Sequence, residues 1–181
     1  MALNTKRKPA SRYYKIKTLK ELAPIIEQLK KRGKKIVLCS GVFDFIHPGH
    51  IDYLERSRRL GDILVVSIVN DRFVTKGPSR PLFKENIRLA WLAALEAVDY
   101  VVLNNDYGPT EIMLAIEPEI FVKGAEDKPK LKDPFSGISE NKMVMDFVGG
   151  RVKFVKDIIH AEDIFGEIYR YVNNVKKSKK K

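Results

Sequence analysis

The sequence predicts an α/β protein with an open, mostly parallel β-sheet covered by helices on both faces. Short apolar runs rich in β-branched residues alternate along the chain with segments whose apolar residues recur at the helical period. This order is typical of parallel sheets, because a helix usually carries the chain back between successive parallel strands. With 181 residues and a hydrophobic content of 44%, the chain can bury the core of one such domain.

Five strands follow from the apolar runs. The expected ranges are 36–39, 63–69, 99–103, 119–122 and 151–155. Residues 63–69 form an almost unbroken β-branched run, which is typical of a central strand buried on both faces. The segments 70–81 and 124–139 contain glycine and proline without apolar periodicity and are predicted to be loops.

Helices are predicted from the 3.6-residue spacing of apolar side chains. The expected ranges are 18–32, 48 to about 60, 84–98, 109–116, 140–148 and 161–175. Thr18 can cap the first helix, and Gly33 ends it. Gly149-Gly150 ends the fifth with a left-handed cap.

Two helices show a clear inward face. In the helix at 84–98 the apolar stripe consists of Ile87, Trp91, Ala94, Leu95 and Val98. This stripe favours a core position for Trp91 over one that stacks on a base. In the last helix the residues expected to point inward are Ile164, Ile168, Tyr171, Val172 and Val175.

The formal net charge of +11 first suggests a protein that binds nucleic acid or an anionic surface. The charge lies at the ends, however: residues 1–20 hold seven basic side chains and no acidic one, and residues 176–181 hold five lysines. We therefore expect a basic flexible extension at 1–17, one nearly neutral domain at 18–175 and a Lys-rich tail at 176–181. This division argues against a nucleic-acid partner, since the domain has no stripe of basic and aromatic residues.

Cys39 is the only cysteine, which excludes an internal disulfide and a zinc site built from several cysteines. It lies in an apolar run, so a buried and inert thiol is expected rather than a nucleophile. No apolar stretch reaches the roughly 20 residues of a membrane span, and no apolar segment of a signal peptide follows the basic N-terminus. The expected location is the cytoplasm.

The chemistry is predicted to lie at His47-Pro48-Gly49-His50, where a strand gives way to a helix. Proline fits the first helical turn, and glycine lets a ligand approach the backbone closely. The start of a helix offers free N–H groups and the positive end of the dipole, which suits phosphate. Two imidazoles add donors that are neutral or cationic near pH 7. Since two of the chain's three histidines meet here, a purely structural cap is the weaker interpretation.

The run Gly41-Val42-Phe43-Asp44-Phe45-Ile46-His47-Pro48-Gly49-His50 resembles the nucleotidyltransferase superfamily that carries the HxGH signature. Within it, the chain resembles the cytidylyltransferase-like group, and in particular the adenylyltransferase domains that activate D-glycero-β-D-manno-heptose 1-phosphate. Further matching segments occur in order along residues 33–156; they include 60–62, 69–71, 76–81, 94–102, 122–124 and 149–152. The resemblance implies the nucleotidyltransferase version of a Rossmann-like fold.

The resemblance also implies an activity. A phosphate monoester, such as a sugar 1-phosphate, attacks the α-phosphorus of a nucleoside triphosphate, and pyrophosphate leaves without a covalent enzyme intermediate. Mg²⁺ is expected to accompany the triphosphate, while no metal site is expected among the protein's own side chains. The motifs do not separate ATP from CTP, nor heptose phosphate from glycerol phosphate. A homodimer is a candidate assembly, since dimers are common among small domains.

Individual roles follow from the same resemblance. His47, His50 and Lys76 are expected to contact the triphosphate and to stabilise the transition state. The expected nucleotide-binding residues are Gly41, Val42, Phe43, Asp44, Gly49, Lys123, Gly124 and Glu126. Arg80 and Arg88 are candidates for binding the acceptor phosphate or for loop closure.

Several of these residues also have a structural interpretation. Lys76 and Arg80 could be solvated charges in a polar loop, and Arg88 could form a surface pair on its helix. Asp44 could act as a turn former that holds the loop. Asp71 could form a pair in the neighbourhood of Arg72 or cap a turn, so it is not among the predicted site residues.

One motif of the family is replaced here. Where such enzymes carry Ser-Thr-Thr at the start of the last helix, this chain reads Ile159-His160-Ala161-Glu162-Asp163-Ile164. The two acids favour the helix but would repel a triphosphate, and His160 is the candidate substitute for a phosphate contact. The replacement keeps a second interpretation open, a non-catalytic nucleotide-binding or regulatory module. In addition, Gly124-Ala125-Glu126 stands where the family has Gly-Gly-Asp, and residues 127–138 look like an insertion.

Overall fold

The computed structural model describes residues 12–75, 77, 79–156, 166, 167 and 169–171. The strands among them are β1 (Ile16–Lys17), β2 (Ile36–Gly41), β3 (Ile63–Val69), β4 (Tyr100–Asn104), β5 (Ile120–Gly124) and β6 (Arg151–Val155). The helices are α1 (Leu19–Lys31), α2 (Pro48–Arg58), α3 (Glu85–Ala94), α4 (Thr110–Ile116) and α5 (Gly137–Phe147). Short 3₁₀ helices occupy Arg12–Lys15, Asp71–Phe73 and Ala125–Lys132.

All strand pairs are parallel, and the strand order is β1-β4-β3-β2-β5-β6. This order confirms the predicted α/β class. The chain proceeds from β2 to one side of the sheet and later returns to place β5 on the other side of β2. Such a switch point leaves a crevice at the carboxyl ends of the two strands, where ligands bind in open α/β sheets.

Two hydrophobic clusters cover the two faces of the sheet. On one face Val37, Leu64 and Val66 pack with Leu54 of α2 and Leu92 of α3. On the other face the buried residues of the sheet include Leu38, Val65 and Phe121, and those of the helices include Leu22, Ile26, Ile112 and Met113. The strands are apolar on both sides because helices cover both sides.

The strands predicted at 63–69 and 151–155 have those bounds, and the other predicted strands differ by one or two residues at an end. The first helix has the predicted cap: Thr18 and Glu21 form a capping box, with the Thr18 N–H donating to Glu21 Oε2 at 2.8 Å. The observed strands and the helix cap agree with the prediction because an apolar run and a capping residue are local signals. They do not depend on contacts with distant parts of the chain.

The first strand extends the domain on its N-terminal side. β1 pairs with β4, and the Lys15 ammonium donates hydrogen bonds to the carbonyl oxygens of Leu95 (3.0 Å) and Val98 (2.6 Å). The predicted domain boundary at residue 18 is therefore wrong, because residues 12–17 belong to the folded unit. A strand of two residues has no periodicity that a sequence pattern could detect.

α3 differs from its prediction in length and in the face that it buries. It ends four residues early, since Leu95 has an extended backbone with ψ of 136°. Its buried residues are Arg88, Leu92 and Ala93, whereas Ile87 is 39% exposed. The predicted apolar stripe is wrong at Ile87 and Ala94, which are exposed, whereas Leu95 and Val98 pack in the core as predicted. The centre of the buried face of α3 is an arginine, which a hydropathy pattern counts as outward.

α5 begins at Gly137, three residues before its predicted start. The Ser136 hydroxyl accepts a hydrogen bond from the Ser139 N–H at 3.2 Å and caps the helix. At the other end Gly149 has φ of 74°, which confirms the predicted left-handed cap.

Most of the predicted last helix lies outside the described residues, as do residues 1–11 and 172–181. Residues 166, 167 and 169–171 are helical, and Tyr171 is 71% exposed, so its predicted inward position is wrong. Among the described residues, no helix is both long and apolar enough to cross a bilayer.

The structure confirms the predicted environment of Cys39 and places Trp91 outside the two hydrophobic clusters. Cys39 is completely buried, and this burial raises the pKa of its thiol to about 11. Trp91 is half-buried and packs edge-to-face on Phe83, with ring centroids 4.7 Å apart. Both side chains contribute to packing.

Candidate active site

The site is built on the turn that joins β2 to α2, residues 42–47. His47 is the N-cap residue of α2, with an extended backbone, and Pro48 opens the first helical turn. The N–H groups of this turn have no partner within the helix, so they face an incoming anion. Gly49 is buried beside them and adds no side chain to the approach.

The two histidines of the motif lie against each other. Their ring centroids are 3.9 Å apart at an interplanar angle of 38°. His50 Nδ1 is 3.1 Å from the carbonyl oxygen of Phe45, and because a carbonyl only accepts, Nδ1 carries the proton of this bond. The His50 Nε2 atom is then an acceptor in the neutral ring and a donor in the cation. The Phe43 ring meets His50 edge-on at 5.2 Å and restricts its orientation further.

Asp44 holds the neighbouring loop onto this turn. Its Oδ2 accepts from Arg80 Nη1 at 2.8 Å, and its Oδ1 accepts from the Phe83 N–H at 3.1 Å. Burial alone would raise the pKa of Asp44, but hydrogen bonds from the Leu82 and Phe83 backbones and from Arg80 outweigh it, so the pKa is lowered. Asp44 is therefore ionised and anchors the loop, which agrees with its interpretation as a turn former. The Arg80 side chain binds Asp44 and so helps to close the loop onto the turn.

Arg88 requires a correction. Its side chain is completely buried, so the surface pair considered for it is wrong. The guanidinium donates to the carbonyl oxygens of Phe83 (2.9 Å), Val42 (2.6 Å) and Val69 (2.8 Å) and to Asp71 Oδ1 (2.7 Å). With these bonds made and no exposed surface, Arg88 holds the β2–α2 turn and both ends of the β3–α3 connection together rather than presenting a charge to an acceptor phosphate.

The carboxyl end of β5 lies beside the β2–α2 turn and forms the other side of the candidate site. Lys123 Nζ is 3.2 Å from Asp127 Oδ2, and the Glu126 carboxylate lies over the Cα atom of Gly124, where a Cβ atom would collide with it. The Tyr53 hydroxyl of α2 donates to the Val122 carbonyl at 2.7 Å, which ties the histidine helix to this strand.

The structure thus brings most of the predicted site residues to one edge of the sheet. The members on or next to the β2–α2 turn are Gly41, Val42, Phe43, Asp44, His47, Gly49 and His50, and those at the end of β5 are Lys123, Gly124 and Glu126. β2 and β5 are neighbours in the sheet. Lys76 and His160 lie outside the described residues.

The partner of Asp71 is Arg88 rather than a group near Arg72, so the role of Asp71 at the site is one that the sequence did not predict. Asp71 receives the guanidinium of the buried Arg88. Its signal was present in the sequence, since an acid directly after a central strand lies at the ligand edge of a parallel sheet. The sequence did not show that the cation paired with Asp71 is Arg88.

The described residues contain no group of three or more histidine, cysteine or acidic side chains that could hold a metal ion. Asp44 of the β2–α2 turn and Asp71 at the end of β3 are each engaged by an arginine. The donors of this edge are imidazole, ammonium and N–H groups, a set that suits phosphate oxygens rather than a bare cation.

Comparison with known proteins agrees with this geometry. The cytidylyltransferase-like family model matches residues 38–172. The chain is 37% identical over 151 residues to the bifunctional protein HldE of Desulfatibacillum aliphaticivorans, covering 82% of this chain and 29% of that protein. It is 41% identical over 143 residues to HldE of Geobacter metallireducens, covering 78% and 28%. The chain thus spans less than a third of the length of these curated relatives.

Two solved structures share the fold. The lipopolysaccharide core biosynthesis protein of Thermoplasma volcanium superposes with a TM-score of 0.56 at 31% identity, covering 71% of this chain and 99% of that one. The pantoate-beta-alanine ligase of Francisella tularensis, solved with beta-gamma ATP and beta-alanine, gives a TM-score of 0.58 at 17% identity and covers 81% and 68%. The second likeness concerns the fold alone. The family match, the relatives and the histidine turn at the switch point agree that this chain belongs to the cytidylyltransferase-like family.

Proposed function

We propose that the chain is a nucleotidyltransferase that joins the nucleoside monophosphate of ATP to a sugar 1-phosphate and releases pyrophosphate. The observation that carries the proposal is the pair His47 and His50, held 3.9 Å apart at the start of α2 beside the switch point of the sheet. The similarity to HldE proteins and the resemblance to heptose 1-phosphate adenylyltransferase domains favour ATP and D-glycero-β-D-manno-heptose 1-phosphate as substrates.

In the proposed reaction an oxygen of the sugar phosphate attacks the α-phosphorus of ATP. The bond from the α-phosphorus to the bridging oxygen breaks, and that oxygen leaves with pyrophosphate. The new bond is the P–O–P linkage of a nucleoside diphosphate sugar. No side chain becomes covalently attached, so the protein contributes position and charge.

His47, His50 and the first N–H groups of α2 are proposed to meet the triphosphate, because these donors converge where negative charge grows in the transition state. Lys76 is proposed to approach the same phosphates from its loop. The β2–α2 turn would cradle the nucleotide on one side, and Lys123, Gly124 and Glu126 would contact its ribose or base on the other.

Mg²⁺ is proposed to enter bound to ATP, as part of the substrate. The carboxylates beside the β2–α2 turn are already neutralised by arginines. The oxygens of the triphosphate are hard ligands of the kind Mg²⁺ prefers, and the ion would reduce their charge during transfer.

The replacement of the hydroxyl motif at 159–164 favours a second candidate, a nucleotide-binding module on the same fold that does not turn over. The two candidates differ in one measurement, the release of pyrophosphate.

The test is a panel of ATP, CTP, GTP and UTP against heptose 1-phosphate, other sugar 1-phosphates and glycerol 3-phosphate, with Mg²⁺ and a pyrophosphate readout. Turnover with ATP and a sugar 1-phosphate is the expected result. Thermal stabilisation by a nucleotide without turnover would favour the binding module. The absence of both turnover and binding would overturn the proposed function.

A further inference from the structure

An open cleft of about 500 Å³ lies at the carboxyl end of β3, next to the β2–α2 turn. Its lining residues are Asn70, Asp71, Arg72, Lys84, Glu85 and Asn86. Arg88 couples the cleft to the turn, since it donates to Asp71 in the cleft and to the Val42 carbonyl in the turn. A volume of this size falls within the range of roughly 300–1,000 Å³ that small-molecule sites have.

The lining of this cleft is unusual, because every residue in it is polar or charged. Most small-molecule sites are lined mainly by apolar and aromatic side chains, with few polar ones. Side chains of this kind offer hydrogen-bond partners to a ligand covered with hydroxyl groups. A choline-like or lipid headgroup would instead require aromatic or aliphatic walls.

The cleft also favours an anion. The lining holds two carboxylates, Asp71 and Glu85, and two exposed cations, Arg72 and Lys84. The buried Arg88 guanidinium lies 2.7 Å from Asp71 and Lys84 Nζ lies 3.8 Å from it, so with Arg88 the group has one net positive charge. Within the part of the chain that the structure describes, the side chains of Arg72 and Asn86 make no hydrogen bond or ion pair. Their donors are therefore available to a ligand, and they differ in this from Arg88, whose donors are used internally.

Hydrogen bonds fix the backbone of residues 70–72, which form one side of the cleft. Asn70 is buried, its Oδ1 accepts from the Arg72 N–H at 3.0 Å, and its Nδ2 donates to Asn105 Oδ1 at 2.9 Å. The Asp71 N–H donates to Glu85 Oε2 at 3.0 Å. The 3₁₀ turn that carries Arg72 is thus fixed to β4 and to the start of α3, so the cleft exists before a ligand arrives.

We infer that this cleft is the acceptor subsite, that it takes the sugar of a polyhydroxylated sugar phosphate, and that Arg72 and Asn86 determine acceptor affinity. This inference rests on the proposed function. It places the acceptor on the β3 side of the β2–α2 turn, with the nucleotide on the β5 side, so that an acceptor phosphate and the α-phosphorus meet near the two histidines.

The experiment compares the wild type, Arg72→Ala, Asn86→Ala and the double variant. Arg32→Ala is the matched control, since Arg32 is an exposed arginine at the end of α1. The KM for D-glycero-β-D-manno-heptose 1-phosphate and the KM for ATP are measured separately. Loss of charge-assisted hydrogen bonds predicts a rise of about ten- to hundred-fold in the acceptor KM for Arg72→Ala. The KM for ATP should stay within about two-fold.

An unchanged acceptor KM, or an equal rise in both KM values, would overturn the subsite while leaving the nucleotidyltransferase function intact. If the wild type releases no pyrophosphate, the proposed function fails, and calorimetric titration with the same sugar phosphate tests the cleft alone. Binding to the wild type and to Arg32→Ala, but not to the double variant, would support the cleft. Equal binding to all of these proteins, or binding to none, would overturn it.

Discussion

The Arg88 guanidinium lies 2.7 Å from Asp71 Oδ1 and 2.6 Å from the Val42 carbonyl, and so links the end of β3 to the turn that carries the histidines. Because Arg88 has no exposed surface, this link is a property of the fold. The geometry of the β2–α2 turn and of the cleft at the end of β3 therefore depends on the same side chain.

Replacing Arg88 should destabilise the protein. Arg88→Leu removes the donors of three carbonyls and leaves the Asp71 carboxylate without its cation, so a loss of about 3 kcal/mol in the free energy of unfolding is expected. Urea denaturation followed by circular dichroism measures this loss. The control Arg32→Leu should change the value by less than about 0.5 kcal/mol. A similarly small loss for Arg88→Leu would contradict the anchoring role.

Replacing His47 should reduce the rate and preserve the fold. His47→Ala is expected to lower pyrophosphate release by at least about 100-fold, which is the usual loss when a transition-state donor is removed. Its thermal midpoint should stay within a few degrees of the wild type, since the N-cap residue makes no side-chain capping bond. His50→Ala should lose activity as well. Full activity in both variants would remove the histidine pair from the mechanism.

Asp44 should make the stability depend on acid pH. Its pKa in the folded protein is lowered below the ordinary value of 3.8, so its contribution is complete above the unfolded pKa and is lost as the pH falls through the folded one. The difference in unfolding free energy between the wild type and Asp44→Asn is therefore expected to be constant above about pH 5 and to shrink below about pH 4. A difference that is independent of pH would show that the ionised carboxylate is not the anchor.

The thiol of Cys39 should be unreactive in the folded protein. Burial raises its pKa to about 11, so at pH 8 the thiolate fraction is on the order of 0.1% and the sulfur is inaccessible as well. A chromogenic disulfide reagent should label Cys39 only after denaturation. Rapid labelling of the native protein would place the thiol at a mobile or exposed position and contradict the packing of β2.

The strands of the sheet and the histidine turn could be predicted from the sequence because they depend on local signals. An apolar run such as residues 63–69 can only be buried, and Pro48-Gly49 at a strand–helix junction restricts the backbone to a few conformations. Thr18 and Glu21 specify their cap within four residues. None of these features needs a partner from elsewhere in the chain.

What the sequence could not show are contacts between distant segments. The burial of Arg88 depends on carbonyl oxygens up to 46 residues away, and no periodicity marks an arginine as inward. The bond between Arg80 and Asp44 joins residues 36 positions apart. In both cases the sequence identified the residues but not their partners, and it is the partner that decides whether an arginine is a ligand or an anchor.

The pairing of β1 with β4 sets a limit on how far the basic N-terminus can be trimmed. β1 covers one side of β4, and Lys15 holds the end of α3 beside it. A chain that began at residue 18 would present β4 as an open edge, a template on which a second copy could add a strand. The same lysine-rich region that raises the net charge therefore also contains the segment that covers this part of β4.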